Sequence, residues 1–253
     1  MFRALNRSAH MFRPRLAPAA LAVALLLASP AAAQTDEALL MAVLRNDPAA
    51  IDQAVRAGSN PRAVGEEGSL LAQAAMSGRV RSVRALLGHG ADPAAPGPNG
   101  GNALNAAFFA MNGMVLMGRD DEPSPARRAE AVEIVRLIAA RRVGLDSPMR
   151  VGPTTMTPLM QAAQAGALDL VRILLDAGAN PNTANGGGYT ALDYAADRAP
   201  GWSDFNPAER GEIVQALLAR GARRDRTGAD GLTPLARARR AGNTAAVAAL
   251  EAR

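Results

Sequence analysis

Residues Thr157–Asn182, TPLMQAAQAGALDLVRILLDAGANPN, carry the signals for two short helices joined by a turn. Thr157 can cap the first backbone N–H groups, and Pro158 suits the first helical position, where its missing N–H costs nothing. Ala165-Gly166 interrupts the apolar pattern, and Gly178 ends the second helix at a position where a left-handed backbone favours glycine. So small a unit cannot bury its own leucines, and the stretch therefore predicts neighbouring copies of itself.

Related units do occur along most of the chain, and they align on the leucine of the first helix. The aligned positions are Leu39, Leu71, Leu104, Leu159, Leu192 and Leu235. Three of the five steps are 32 or 33 residues, and the steps of 55 and 43 equal one 33-residue period with 22 and 10 residues inserted. With its TPL opening, its paired alanines and its Gly-Ala ending, the unit resembles the ankyrin repeat. The resemblance covers about residues 36–253.

This resemblance implies an all-α ankyrin-repeat solenoid of about six helix-turn-helix repeats with short β-hairpin-like connections. Both insertions fall between the two helices of a repeat, the third and the fifth, so we expect them to project from one edge. The expected domain is 34–253, with repeats at 36–62, 66–93, 100–146, 155–182, 188–223 and 230–253.

The third repeat departs most from the pattern. Asn102-Ala103-Leu104 replaces the TPL opening, and the second helix is expected to end near Arg142, in the position of Gly178. Its first helix is expected to continue through an apolar stripe, which is either a binding stripe or covered by Val132, Val135 and Ile138 of the second helix. The stripe consists of Phe108, Phe109, Met111, Met114 and Met117.

Residues 1–33 are predicted to be a secretory signal peptide. Arginines precede the apolar run Leu16–Ala28, and the small residues Ala31 and Ala33 suit cleavage before Gln34. The alternative is a membrane anchor, but the run is short for a membrane span and contains Pro18. We therefore expect an exported, periplasmic chain with no membrane span after cleavage. The sequence does not decide whether translation starts at Met1 or Met11.

Composition excludes several classes of site. The chain has no cysteine, which excludes disulfides, a thiol nucleophile and a thiolate zinc site. All 28 basic residues are arginine, but four of them lie in the leader, and without it the net charge of +5 falls to about +1. The basic balance is therefore poor evidence for nucleic-acid binding, and no nucleic-acid partner is predicted.

Catalytic residues are scarce. His89 is the only histidine outside the leader, and no GxSxG elbow, P-loop or dinucleotide motif is present. The acidic run Asp120-Asp121-Glu122 lies in the first insertion without EF-hand spacing, so a solvated loop tip is favoured over a calcium site. We predict no catalytic residue, cofactor or metal. An enzyme that uses Asp120 and Asp121 stays open as a lesser alternative.

The expected function is non-catalytic protein–protein recognition in the bacterial envelope by a chain that is itself monomeric. The resemblance implies a concave surface of hairpin tips and first helices, including Arg62, Asn99, Asn185, Tyr189 and Asp230. A second candidate surface is the inserted edge, where Trp202 and Phe205 are residue types suited to anchoring a partner. An envelope stress-protective or toxin-neutralising factor is the alternative role, and the partner itself is not readable from the sequence.

Overall fold

The computed structural model describes residues 30–97, 100–108, 125–197 and 207–252, and within these ranges it contains six consecutive pairs of helices. The first helices of the pairs are α1 (Pro30–Leu44), α3 (Leu70–Met76), α5 (described over 103–108), α7 (Pro158–Ala165), α9 (Ala191–Ala196) and α11 (Pro234–Ala241). The second helices are α2 (Pro48–Arg56), α4 (Val80–Gly88), α6 (Pro125–Ala139), α8 (Leu168–Ala177), α10 (Pro207–Ala219) and α12 (Thr244–Glu251).

Short hairpin turns connect each pair to the next. The first is the antiparallel ladder of β1 (Val64–Gly65) and β2 (Gly68–Ser69). The third is the ladder of β3 (Met149–Val151) and β4 (Thr154–Met156). Backbone hydrogen bonds close the second, fourth and fifth turns, among them those from Gly97 N–H to Gly101 O, from Asn185 N–H to Tyr189 O and from Gly228 N–H to Leu232 O.

The helices begin and end at the predicted signals. Thr157 Oγ1 accepts from Met160 N–H at 3.3 Å, with Pro158 in the first turn, and Asp47 caps α2 in the same way by accepting from Ala49 and Ala50. In the third pair, Asn102 Oδ1 accepts from Leu104 N–H, so asparagine replaces threonine as the cap. Gly178 ends α8 with a left-handed φ of 105°.

The hydrophobic core runs continuously along the array. The aligned leucines Leu39, Leu71, Leu104, Leu159 and Leu192 are at most 1% exposed. Leu174 is fully buried and Leu175 nearly so. Leu235, in the sixth pair, is partly buried and packs against this core. Consecutive second helices contact one another from α2 to α12, and consecutive first helices do so from α7 to α11. The predicted all-α repeat solenoid is confirmed.

Polar side chains join neighbouring pairs at the turn between their two helices. Ser82 Oγ on α4 donates to Val43 O at the end of α1. Arg210 on α10 donates to Ala163 O and Gln164 O at the end of α7, and Asn243 donates to the last carbonyls of α9. Burial lowers the pKa of Arg210, although the nearby charge of Asp197 raises it. These bonds add side-chain donors to carbonyls in the last turn of the first helices.

Arginines perform the same task at the opposite ends of the second helices. Arg62 Nε donates to Gly90 O at 2.7 Å, and Arg141 donates to Leu87 O at 3.2 Å. Arg220 donates to Leu175 O, and Arg224 donates to Leu250 O. The guanidinium has five N–H donors in a fixed plane, so it can close a helix end and pair with a carboxylate together, as Arg220 does with Asp176.

The third pair differs from the sequence prediction in one boundary. Helix α6 ends at Ala139, three residues before Arg142, and Arg142 has a left-handed φ of 55°. Helix α6 therefore ends before the position that corresponds to Gly178, the residue that caps α8. Phe108 is 1% exposed, and Val135 and Ile138 are fully buried, as the covered-stripe interpretation expects. Phe109, Met111, Met114, Met117 and the run Asp120-Asp121-Glu122 lie outside the described residues.

Helix α1 overlaps the predicted leader. It begins at Pro30, so the predicted cleavage position before Gln34 lies within its first two turns. Within the ranges that the structure describes, none of the helices combines the length and apolar character needed to cross a membrane.

Candidate functional site

Three of the predicted binding residues come together on the side of the array that carries the hairpin turns. Asn185 and Tyr189 belong to the fourth turn and Asp230 to the fifth, and Arg237 of α11 contacts both Tyr189 and Asp230. Arg62 lies apart, after α2. Asn99, Trp202 and Phe205 lie outside the described residues. We call the five hairpin turns and the adjoining first helices the hairpin surface.

Asn185 is saturated with hydrogen bonds inside the protein. Its Oδ1 accepts from the backbone N–H groups of Gly187 and Tyr189, both at 3.0 Å. Its Nδ2 donates to Thr154 Oγ1 at 3.1 Å and to Tyr194 Oη at 3.0 Å. The side chain therefore shapes the fourth turn and fastens it to the third. Asn185 therefore supports the surface, because its side-chain amide already forms four hydrogen bonds within the protein.

Tyr189 is held between two glycines. A Cβ atom at Gly228 would lie 2.2 Å from Tyr189 Cε1, and one at Gly187 would lie 2.8 Å from Tyr189 Cε2. The ring also meets Tyr194 edge to face, with centroids 6.5 Å apart and planes at 68°. Only residues without side chains fit beside this ring. Tyr189 is partly buried, so part of it remains at the surface.

The buried side chain of Arg237 lies among three carboxylates beneath that surface. Its side chain is 6% exposed, and its Cζ lies 4.8 Å from the centroid of the Tyr189 ring. It donates to both carboxylate oxygens of Asp230, at 2.8 and 2.9 Å. Asp193 and Asp197 lie within ion-pair distance, at 3.6 and 3.5 Å. One buried cation thus joins the fifth hairpin turn to α9 and α11.

The carboxylate of Asp193 is the most enclosed of the three. Its Oδ2 accepts from the backbone N–H and the hydroxyl of Thr190, at 2.8 and 2.9 Å. Its Oδ1 and Arg237 Nε face each other at 3.6 Å, and within the described structure neither atom has a hydrogen-bond partner. Buried ions of opposite charge depend on each other, because removing one leaves the other uncompensated.

The pKa shifts in this cluster favour the charged forms. Burial raises the pKa of Asp230, but the Leu232 N–H and the guanidinium groups of Arg237 and Arg240 outweigh it, and the net shift is downward. Burial lowers the pKa of Arg237, but the carboxylates of Asp230, Asp193 and Asp197 outweigh it, and the net shift is upward. The ion pair is therefore formed at neutral pH.

Arg62 is exposed at the other end of the hairpin surface, and its guanidinium closes the turn after α4. Arg62 therefore adds positive charge to this surface, and its hydrogen bond to Gly90 O joins the first helix pair to the second.

His89, the histidine considered for catalysis, closes the end of α4 instead of facing a nucleophile. Its Nε2 lies 2.6 Å from Asp52 Oδ1 on α2. Across the described part of the chain, no three histidine, aspartate or glutamate side chains converge where they could hold a metal ion.

Sequence reasoning missed Arg237 and Arg150. Arg237 follows the TPLA opening of α11, at the position that Gln161 has in α7. Arg237 is buried because the fifth hairpin turn brings Asp230 against it, and the sequence pattern does not show this contact. Arg150 stands in an alternating apolar–polar strand, Met149-Arg150-Val151, and that alternation is the signal that could have identified it.

Comparisons with known proteins agree with this architecture. The family model "Ankyrin repeats (many copies)" matches residues 146–195. Ankyrin repeat and SOCS box protein 16 of Mus musculus is 34% identical over 155 residues, 59% of this chain. The chain spans 29% of the length of that relative.

Two solved structures extend the match over most of the chain. An ankyrin repeat domain from Acinetobacter baumannii is 28% identical, with a TM-score of 0.65, and the alignment covers 84% of this chain and 95% of that one. A structure of a predatory endopeptidase from Bdellovibrio bacteriovorus in complex with an immunity protein contains a chain that is 24% identical, with a TM-score of 0.58. That alignment covers 84% of this chain and 96% of the other, and it shows a shared fold.

Proposed function

The chain is an ankyrin-repeat protein, and from this premise we propose that it is a non-catalytic binding module that recognises another protein through its hairpin surface. Ankyrin repeats are generally protein–protein interaction modules, and their fold is generally a non-catalytic scaffold. The partner of this chain and the compartment in which they meet belong to the proposal.

One observation carries the proposal. On the hairpin surface, Asn185, Arg237 and Asp230 hold the fourth and fifth turns in place through hydrogen bonds within the chain. A surface whose shape is set before binding loses less conformational entropy on association. The partly exposed Tyr189 ring lies in the middle of this region, and aromatic residues held in place are frequent anchors at interfaces.

The test needs a substitution that blocks the surface without disturbing the fold. Gly186 lies in the fourth turn, and a Cβ atom there would have no neighbour within 4 Å. Gly186→Arg should therefore fold normally and obstruct an approaching protein. Gly88→Arg is the matched control, because Gly88 is equally free of neighbours but lies at the end of α4.

The measurement is crosslinking capture of protein from the exported fraction, with the wild type and both variants as baits. We expect a protein captured by the wild type and by Gly88→Arg, and lost or strongly reduced with Gly186→Arg. Equal capture by all three baits, with their thermal unfolding unchanged, would exclude the hairpin surface.

The inserted edge is the alternative surface. Trp202→Ala combined with Phe205→Ala should weaken binding by about 2 kcal/mol or more if this edge holds the anchor residues. Capture that is lost in this double variant and kept in Gly186→Arg would move the proposed site to the inserted edge.

Export completes the proposal. The arginine-led apolar leader and the Ala31-x-Ala33 pattern support cleavage before Gln34 and delivery to the periplasm. N-terminal sequencing of the exported protein should begin at Gln34. A mature chain that retains Leu21–Leu27 would instead indicate an anchor, and the partner would then be sought at the membrane.

A further inference from the structure

The geometry points to a carboxylate-binding notch between the third and fourth hairpin turns, which receives an acidic side chain from the partner. This inference rests on the proposed function and specifies the chemistry of that partner. The notch is an open cleft of about 360 Å³ on the hairpin surface. Its lining includes Arg150, Gly152, Thr154, Thr155, Gly186 and Gly187.

The third turn presents a cation and a hydroxyl together. Met149 and Met156 pair across the ladder and are both buried, at 4% and 2% exposure. The next pair along the ladder is Arg150 with Thr155, and both residues are exposed. Directly opposed residues of an antiparallel pair have side chains on the same face. The Arg150 guanidinium and the Thr155 hydroxyl therefore project side by side from one face of the hairpin.

The charge of the notch is uncompensated. Arg150 is the one charged residue among those that line it, and its guanidinium forms no ion pair or hydrogen bond with any described residue. This separates Arg150 from Arg62 and Arg237, which are engaged with Gly90 O and Asp230. A guanidinium that presents its fork to solvent matches a carboxylate, which accepts two parallel N–H bonds.

The fourth hairpin turn forms the opposite wall of the notch, is held in place, and lets a partner's backbone approach closely. Asn185 Nδ2 binds Thr154 Oγ1 at 3.1 Å and so ties the fourth turn to the third. Asn185 Oδ1 also holds the Gly187 N–H. Gly186 adds no side chain, and the space beside its Cα is open. An extended segment of the partner can therefore bring its backbone against the glycines while its acidic side chain reaches Arg150.

A nucleic acid is the less suitable occupant. Backbone phosphates are bound by several basic side chains arranged as a patch or stripe. The notch offers one arginine, and the first hairpin turn of the same surface carries Glu66 and Glu67 instead. A single carboxylate matches the single free guanidinium.

The test uses short peptides as probes of the full mature chain. Acetylated, amidated tetraglutamate is titrated into ¹⁵N-labelled protein at low ionic strength, where exposed charges are least screened. An acetylated, amidated tetraglutamine peptide, which has the same length and carries no carboxylate, is the matched probe. We expect saturable shifts of the Gly152, Gly186 and Gly187 amides with tetraglutamate only, and unchanged Gly65 and Gly68 amides in the first hairpin turn.

Variants make the result specific. Arg150→Gln should weaken tetraglutamate binding about fivefold or more, because it removes a charged partner worth at least about 1 kcal/mol. Arg172→Gln, which removes an exposed guanidinium on α8, should leave the affinity unchanged. Equal affinity in Arg150→Gln, shifts spread over all exposed arginines, or equal binding of tetraglutamine would each overturn the inference.

The outcomes also separate this inference from the proposed function. If tetraglutamate binds at the notch and the Gly186→Arg bait captures the same protein as the wild type, the notch binds carboxylates, but the hairpin surface and the partner's acidic contact both fail. If a partner is captured in a Gly186-dependent manner and the Arg150→Gln bait retains it fully, the surface stands and the acidic contact fails.

Discussion

The ring of Tyr189 lies against the guanidinium of Arg237, with Arg237 Cζ 4.8 Å from the ring centroid. Tyr189 precedes α9 and Arg237 lies on α11, so this contact joins the last two helix pairs. Asp193 and Asp230 approach the same guanidinium from α9 and the fifth hairpin turn. One side chain therefore links the fourth and fifth hairpin turns to the sixth helix pair.

The glycine beside the Tyr189 ring gives a first prediction. Gly228→Ala should destabilise the protein by about 1–3 kcal/mol, because the added Cβ would overlap Tyr189 Cε1 and force the ring or the turn to move. Urea unfolding measures the change. Gly186→Ala is the control, since it adds the same methyl group to open space in the neighbouring turn. Equal stability of the two variants would mean that the ring does not occupy this position.

The buried guanidinium gives a second prediction. Arg237→Gln should reduce the free energy of unfolding by about 3–5 kcal/mol, because it leaves the buried Asp193 carboxylate uncompensated. Arg172→Gln breaks the exposed pair with Glu212 and should cost at most about 1 kcal/mol. Amide hydrogen exchange should also accelerate first in α11 and α12. Comparable losses in the two variants would show that burial of the Arg237 cluster does not contribute.

Acid should weaken the same junction. The folded-state pKa of Asp230 lies below its ordinary value of 3.8, so its contribution to stability is present above that value and is lost as the pH falls through the lower, folded-state pKa. We expect the wild type to lose stability below about pH 4 more steeply than Asp230→Asn. Urea unfolding from pH 7 to pH 2 provides the comparison, and parallel curves for the two proteins would contradict the shift.

Much of this fold is readable from the sequence because its signals are local. Thr157, Pro158 and Gly178 act within one or two turns of helix, and the aligned leucines repeat at a fixed spacing. The hairpin surface is less readable. Tyr189 and Asp230 were identified by their place in the repeat, but their contacts with Arg237 span up to 48 residues and depend on how two pairs pack.

Asn185 illustrates the same limit. Its position at a hairpin tip predicts a residue that meets the partner, whereas its bonds to Thr154, Gly187, Tyr189 and Tyr194 make it a support for its neighbours. Saturation of a side chain depends on residues from a different turn, 31 positions earlier in the case of Thr154. Pattern reasoning locates the surface, and the packed structure decides which of its residues are free to bind.

The end of α6 gives a last prediction, at a position where the sequence departs from its own repeat. Arg142 has a φ of 55°, in the left-handed region that costs a residue with a Cβ about 1–2 kcal/mol. Arg142→Gly should release this strain while making the unfolded chain more flexible, at a cost of about 0.5–1 kcal/mol. We therefore expect a net gain in stability of about 0.5–1 kcal/mol.

Gly178→Ala is the reciprocal variant at the end of α8. Gly178 has a φ of 105°, and a Cβ atom there would have no neighbour within 4 Å, so any loss of stability reports backbone strain alone. Thermal and urea unfolding should show opposite signs for the two substitutions. A destabilised Arg142→Gly would mean that the exposed arginine side chain contributes more than its backbone costs, and the missing glycine would then be a stabilising departure from the repeat.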